Sequence, residues 1–301
     1  AEGGAQAFYK GDIAQALARD VRAKGGSLSV EDLAHYAAEM VEPLTLNYRG
    51  GRVFATPGLT GGPTFGKALE LLAQELTPGA GAPDAATYAG FARALDTAFK
   101  LRFEHMGDHE SPKAPGCTTH FSVVDRDGNM CSVTQTLLSI FGSRVVSPST
   151  GLLLNNGIMW FDPEPGKPNS LAPDKRCLAN YSPVIGEDVN GRRFAIGASG
   201  GRKILGTVMQ LTSFMMDHGL TLEEAFHQPR LDVSGGPRIV ADKALPAEVM
   251  QALGQVMPVV PARSTAYPYA FACPAGVMRD GDLNMGCTEI MSPYGDAVSG
   301  G

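Results

Sequence analysis

The residues with the clearest chemical potential lie in the run Cys117-Thr118-Thr119-His120-Phe121-Ser122-Val123-Val124-Asp125-Arg126-Asp127-Gly128-Asn129. A serine or threonine hydroxyl is a weak nucleophile until a base takes its proton. A free α-amine has a pKa of about 7.7–8, so near neutral pH part of it is unprotonated and can serve as that base. Threonine at a new chain terminus therefore carries nucleophile and base in one residue. Thr118 stands where such a terminus would be made. Upstream, Gly107 to Cys117 is polar, holds Pro112 and Pro115 and has no apolar period, which predicts an exposed loop. Thr118 then opens the alternating run THFSVV, Asp127-Gly128 is a hairpin-turn signal, and Met130 to Leu138 is the returning strand. A two-residue loop sets Thr119 opposite Thr136 and Thr118 opposite Leu137; a shift of one residue in the turn sets Thr118 almost opposite Thr136. Either register leaves the two hydroxyls within about 5–8 Å. A threonine at a loop-to-strand junction, with a second threonine to orient it, is the layout of an autoproteolytic N-terminal nucleophile. The local pattern alone is equally met by β-branched residues filling a strand.

A second chemical element follows downstream. Phe194-Ala195-Ile196 reads as a short apolar strand, Gly197-Ala198-Ser199-Gly200-Gly201 as a turn, and Lys203 to Asp217 as a helix with apolar residues at helical spacing. Glycines let backbone N–H groups approach a substrate, and a helix N-terminus favours negative charge. Gly200 and Gly201 thus suit an oxyanion hole, although a glycine-rich connection with no ligand reads the same way. The segment also spells G-x-S-x-G, with Asp217 and His227 following in the chain order of a serine triad. Against the triad, His227 lies only ten residues beyond Asp217, with no room for the strands that normally separate such partners. Gly61 to Lys67 spells G-x-x-x-x-G-K, but Ala68 replaces the magnesium-binding hydroxyl and Pro63 breaks the loop, which argues against a phosphate-binding loop.

Five blocks in order, TTHFSVVDRDGN, TQTLLSIFGSRVV, GLLLNNG, KRCLANYSPVI and IGASGGRKI, resemble the small subunit of the gamma-glutamyltransferase family of Ntn hydrolases. That family also contains cephalosporin acylases and related amidohydrolases. Weaker similarity runs upstream through FYKGDIA, SVEDLAHY, YRG and TGGPT. The resemblance implies an α+β fold, an αββα sandwich with two stacked antiparallel sheets. It implies a precursor that cuts itself between Cys117 and Thr118, leaving residues 1–117 as the C-terminal part of the large-subunit region. Residues 118–301 would form the small subunit, and the two fragments together one domain. Thr118 becomes the nucleophile, Thr136 its orienting partner, and Gly200 and Gly201 the oxyanion donors. An uncleaved, non-catalytic relative that only binds small acids is the alternative of another class.

The chain departs from glutamyl transferases at the positions that bind substrate. Leu138 stands where the family has asparagine. Asn155-Asn156 is followed by Gly157 and Trp160 where glutamine and aspartate hold the α-amino group. Ala179-Asn180 replaces the serine pair that receives the α-carboxylate. Losing several polar partners, each worth about 1–3 kcal/mol when buried, predicts poor γ-glutamyl specificity and an acylase-like or oxamate-amidohydrolase-like preference; a true glutathione hydrolase is the alternative. Trp160 also reads as an ordinary core residue beside Met159 and Phe161. Arg144 and Arg202 are candidate partners for a single substrate carboxylate.

The remaining composition suits a compact enzyme of 301 residues, 44% hydrophobic and 19% charged. A net charge of −6 argues against nucleic acid or an anionic membrane as partner. No cofactor or metal is expected: Cys117, Cys131, Cys177, Cys273 and Cys287 form no CxxC pair, and reduced thiols are the default. The expected partners are a small amide substrate, the two fragments of one precursor and a second copy in a homo-oligomer. The family has a further N-terminal portion that supplies an arginine to substrate, so this chain is expected to be part of a larger protein. With no export signal in view, a cytoplasmic setting is slightly favoured over a periplasmic one.

Periodicity predicts helices over Gly11 to Ala23, around Leu33 to Met40 behind a capping box at Ser29, and over Pro63 to Leu76, Ala85 to Phe103 and Leu222 to Phe226. Strands are predicted at Tyr48 to Thr56, after Pro229-Arg230-Leu231-Asp232, at Arg238 to Val240 and at Gly276 to Met278. Val145 to Pro183 reads as a long surface region, with Asp162 to Leu171 as a lid-like part.

Overall fold

The computed structural model describes residues 3–107, 116–265 and 269–300, and of Gly116 and Cys117 the backbone only. The expected exposed loop before Thr118 falls largely on 108–115, outside the described residues, as does the Cys117 thiol. Two compact units form, Ala1–Glu42 with Leu137–Gly157, and Pro43–Thr136 with Ile158–Gly301. Neither is bounded at Thr118.

The smaller unit holds helices α1 (Gly4–Tyr9), α2 (Asp12–Ala23) and α3 (Val30–His35). Helix α2 buries Ala14, Leu17 and Ala18 on one stripe, the i, i+3, i+4 pattern of an amphipathic helix. The predicted capping box is present: Asp32 N–H donates to Ser29 Oγ at 3.0 Å, and Ser29 N–H donates to the Asp32 carboxylate at 2.8 Å. The helix predicted through Met40 instead stops at His35. Tyr36 turns extended and stacks on Tyr9, and the residues beyond have no face to bury, Met40 being fully exposed. The Leu137–Gly157 segment is tied to α2 through Asp20, which accepts from Ser147 Oγ at 2.6 Å and from Ser149.

The larger unit is built on a six-stranded sheet of order β1-β2-β5-β6-β10-β11, antiparallel at each junction. Strands β1 (Leu44–Tyr48) and β2 (Gly51–Ala55) form a hairpin, where one strand from Tyr48 was expected. The chain reverses at Arg49-Gly50, both left-handed with φ of 53° and 78°. Arginine rarely signals such a turn. It is held there by Asp217, which accepts from Arg49 Nε at 2.5 Å and Tyr48 OH at 2.6 Å.

Helices α4 (Gly62–Glu75) and α5 (Ala85–Leu101) follow, and α5 runs into a π-helical turn at Arg102–Met106. Strands β3 (Gly116–Val124) and β4 (Met130–Ser139) form a separate two-stranded sheet, and a 3₁₀ turn spans Gly157–Trp160. Next come β5 (Val184–Glu187), β6 (Arg193–Ser199), α6 (Lys203–Met216) and α7 (Leu222–His227). Strands β7 (Leu231–Asp232) and β8 (Ile239–Asp242) lie close to where strands were expected and make a third small sheet with β9 (Val259–Ala262); β9 and the helix α8 (Ala247–Val256) before it were not anticipated. Strands β10 (Cys273–Asp280) and β11 (Leu283–Thr288) complete the large sheet. Helices α4 and α6 cover one face of it, and β3 packs across β6 and β10 on the other. That double cover explains why Phe194 to Ala198 of β6 is buried throughout rather than alternating. Val145 to Pro183 is irregular as expected, but its end is not surface: Leu178, Ala179, Asn180 and Ser182 are buried.

Candidate active site

The β3–β4 turn decides which hydroxyls meet. Asp125 and Asn129 close it through Asp125 N–H donating to Asn129 O at 3.0 Å, and Gly128 N–H donates to Asp125 O. Asp125 Oδ1 accepts from the backbone of Asp127 and Asn129. The loop therefore holds three residues, Arg126 to Gly128, with Gly128 left-handed at φ 81°. The extra loop residue selects the second of the two expected registers. Thr118 faces Thr136, and its hydroxyl donates to Thr136 Oγ1 at 3.1 Å. The same face carries His120, whose Nδ1 bonds Thr134 Oγ1 at 2.8 Å and whose Nε2 bonds Ser122 Oγ at 2.9 Å. Burial in the seam between the sheets lowers the His120 pKa to about 4, so the ring is neutral at ordinary pH.

His120 also sets the distance between the sheets. A Cβ on Gly197 would lie 2.3–2.9 Å from three atoms of its ring. Ser132 Oγ donates to Ile196 O one residue earlier. The hairpin and β6 thus advance in the same sense, which carries Thr118 and Thr136 toward the turn after Ser199. There Gly200 and Gly201 are left-handed, at φ 138° and 64°, and α6 begins two residues on. A Cβ on Gly200 would press on Ala272 at 3.0 Å, whereas the space at Gly201 is open. Gly197→Ala is accordingly expected to destabilise the protein by about 1–3 kcal/mol, because hydrogen bonds on both sides hold the ring in place. A drop of several degrees in melting temperature checks this, and an unchanged melting temperature refutes the packing argument.

The serine-triad reading is not supported by the geometry. Asp217 is occupied by Tyr48, Arg49 and Ser213. His227 Nδ1 is bonded to Glu223 O at an exposed helix end, and the Ser199 side chain is engaged with the Cys273 thiol. Gly61 and Gly62 start α4 in helical conformation, and Gly61 N–H donates to Tyr181 O.

The expected substrate positions divide between the units. In the larger one, Trp160 is 8% exposed with its ring 6.1 Å from that of Tyr181. Asn169 Nδ2 donates to Trp160 O, and Leu178 N–H donates to Asn169 Oδ1, so the lid-like segment is anchored at its buried Asn169. Ala179 and Asn180 are held by Arg102, whose guanidinium donates to Ala179 O at 2.9 Å and Asn180 Oδ1 at 2.7 Å. Arg202 lies over the Phe103 ring. In the smaller unit, Asn156 and Ser139 exchange two hydrogen bonds, Gly157 N–H donates to Asn155 Oδ1, and Leu138 is left-handed at φ 76°. Such strain in a bulky residue is uncommon and clusters at functional sites. Arg144 is left-handed as well, at φ 59°. Sequence reasoning missed His120 and Arg102. Alternation placed His120 on the Thr118 face, and Arg102 stood as a lone charge on the apolar stripe that carries Leu95 and Phe99.

No disulfide joins Cys131, Cys177, Cys273 and Cys287. Among the described residues no cluster of His, Cys, Asp or Glu could hold a metal ion, and no helix is long and apolar enough to cross a membrane.

These layers, a helical face, a six-stranded antiparallel sheet and a stacked hairpin whose first strand carries Thr118, define the α+β, αββα sandwich of the Ntn hydrolases. The gamma-glutamyltranspeptidase model matches residues 1–117 and 111–289, and the chain belongs to that family. It is 31% identical to a glutathione hydrolase proenzyme of Escherichia coli, over 76% of this chain and 48% of the relative. It is equally 31% identical to an acylase ACY 1 proenzyme of a Pseudomonas species, over 83% of this chain and 51% of that one. A cephalosporin acylase structure from Bacillus halodurans superposes with a TM-score of 0.82 at 25% identity, covering 95% of this chain and 58% of its own. The chain thus spans about half the length of the curated relatives it matches.

Proposed function

We propose that the protein is an autoprocessing amidohydrolase or acyltransferase with Thr118 as nucleophile, acting on acyl groups other than γ-glutamyl or with relaxed choice among them. The observation that carries this is the 3.1 Å hydrogen bond between Thr118 and Thr136 at the first turn-in of the hairpin. In the precursor, the Thr118 hydroxyl attacks the Cys117 carbonyl, the C–N bond breaks as the peptide becomes an ester, and the Thr118 amine is freed. Water then hydrolyses the ester to release the Cys117 carboxylate and the Thr118 hydroxyl. That amine then takes the hydroxyl proton as Thr118 attacks a substrate amide. Backbone N–H groups of the Gly200-Gly201 turn, just before the N-terminus of α6, suit the tetrahedral oxyanion. The acyl-enzyme is resolved by water or an amine. The two fragments of the precursor remain partners in this reading.

Overall identity does not choose the acyl group, since the glutathione hydrolase and the acylase are equally similar. The residue types at the expected substrate positions support a non-glutamyl group. Leu138, Gly157, Trp160 and Ala179 offer no charge to an α-amino or α-carboxylate group, and a desolvated zwitterion without partners is costly to bind. The test is kcat/KM for γ-glutamyl and glutaryl amides of one leaving group, with glutaryl expected to be the better substrate. A γ-glutamyl preference of tenfold, about 1.4 kcal/mol in transition-state binding, would establish the glutathione-hydrolase reading instead. A single band on a denaturing gel without turnover would establish the non-catalytic one.

A further inference from the structure

The hairpin turns its polar face inward. Thr118, His120, Ser122, Thr134 and Thr136 share the side that meets the large sheet, whereas Phe121 and Val123 on the other side are exposed. Seams between stacked sheets are normally filled by interdigitating apolar side chains, and apolar contact is non-directional. Hydrogen-bonded groups in a seam specify one arrangement when every member is satisfied. His120 meets that condition. Its neutral ring has one donor and one acceptor. Thr134 Oγ1 at 2.8 Å and Ser122 Oγ at 2.9 Å meet its two nitrogens.

The ring also fills a slot. A Cβ on Gly197 would lie 2.3 Å from its Cε1, 2.4 Å from its Nδ1 and 2.9 Å from its Nε2. His120 thus ties β3 to β4 through Thr134 and seats both on β6. Side chains of one strand return to the same face every second residue. A slide of the hairpin along β6 that keeps its faces would therefore set the ring on Ala195 or Ser199, where a Cβ already stands. The slot exists at Gly197 alone. Thr118 lies two residues from His120, and Gly200 three from Gly197. The position that the ring selects therefore also decides how the Thr118 strand meets the glycine turn.

We infer that His120 is a positioning residue: seated at Gly197 and held by Thr134 and Ser122, its ring keeps Thr118 in register with the Gly200-Gly201 turn. This rests on the reading of Thr118 as nucleophile and of that turn as oxyanion site. The same register serves self-cleavage and turnover. A misplacement of 1 Å can cost about a hundredfold in rate. His120 touches no substrate in this scheme, so KM should not follow kcat.

The experiment reads both steps in the full chain, well below the melting temperature of every variant. Self-cleavage is followed on a denaturing gel after cell-free synthesis, and turnover with glutaryl p-nitroanilide once processing is complete. In His120→Ala and in Gly197→Ala both rates should fall by about tenfold or more, with KM within about twofold of wild type. Gly197→Ala keeps the imidazole and both hydroxyls and displaces only the ring. Where His120→Ala does not fold, His120→Asn takes its place, since it keeps a polar atom for Thr134 and leaves the slot partly empty. The double variant should be no slower than the slower single one, because both changes remove one contact. A folded single variant with wild-type rates overturns the inference. A rise in KM at unchanged kcat does the same, as do losses that multiply in the double variant. With wild type active and Thr118→Ala inactive, those results leave the nucleophile assignment standing. A wild type no more active than Thr118→Ala in either assay overturns that assignment and this inference with it.

Discussion

Thr118→Ala is expected to remain one chain across the Cys117–Thr118 bond and to hydrolyse no amide. Both outcomes follow from one hydroxyl. In the proposed mechanism it is the atom that attacks the preceding carbonyl, and after cleavage the atom that attacks the substrate. No neighbouring group replaces it, because the Thr119 side chain points to the opposite face of β3 and Thr136 has no free amine beside its hydroxyl. Thr136→Ala removes the acceptor of the Thr118 hydroxyl and should slow processing and turnover together. One such hydrogen bond is worth about 0.5–1.5 kcal/mol, or about tenfold in rate at the upper end. A denaturing gel over time and an amide assay on the same preparation measure both steps. Self-cleavage at this bond in purified Thr118→Ala would sink the mechanism. Unchanged rates in Thr136→Ala would remove that residue from it.

Much of this site was legible because its parts are local. The THFSVV alternation, the DRDGN turn and the Thr136 strand lie within one hairpin, so spacing alone narrowed the pairing to two registers. The choice between them was not legible, since Asp-Gly serves both a two-residue loop and a three-residue loop ending in a left-handed glycine. The helices α2, α4, α5 and α6 were readable from period and caps for the same local reason. What failed depended on distant partners. The Arg49-Gly50 reversal is held by Asp217, far along the chain, and nothing near Tyr48 announces it. Strand β5 is four residues long and gains its meaning only between β2 and β6. Helix α8 did carry a signal, Val249 and Leu253 one turn apart behind Pro246, which went unused. Arg102 could be seen as a misplaced charge, but its contacts with Thr60 and Asn180 come from segments on either side of β3 in the chain.

Asp232→Asn is expected to raise stability at pH 7 and to make the protein markedly more sensitive to mild acid. Two buried groups titrate in opposite senses. Burial holds the His120 pKa near 4, against about 6.5 when unfolded. Its folded form takes up a proton later than the unfolded one, so stability is present above pH 6.5 and is lost as pH falls toward 4. The full loss is roughly 3 kcal/mol at about 1.36 kcal/mol per pH unit. Asp232 in β7 is fully buried, and desolvation raises its pKa to about 6, partly countered by Lys203 and a hydrogen bond from Ser234. Its Oδ1 has no hydrogen-bond partner among the described residues. The folded state holds this proton more tightly, so stability is greatest below pH 3.8 and is lost as pH rises through 6, again by roughly 3 kcal/mol. Between pH 4 and 6 the two contributions nearly cancel, and wild-type stability should change little. Asparagine cannot ionise, so the variant escapes the cost of a buried carboxylate at pH 7 and exposes the His120 slope alone. Denaturant unfolding at pH 4, 5, 6 and 7, in a Thr118→Ala background that keeps the chain whole, measures the difference. It should be largest at pH 7 and shrink toward zero at pH 4. Parallel curves for the two proteins would show that Asp232 is ionised in the folded state at little cost, through a partner beyond Ser234 and Lys203.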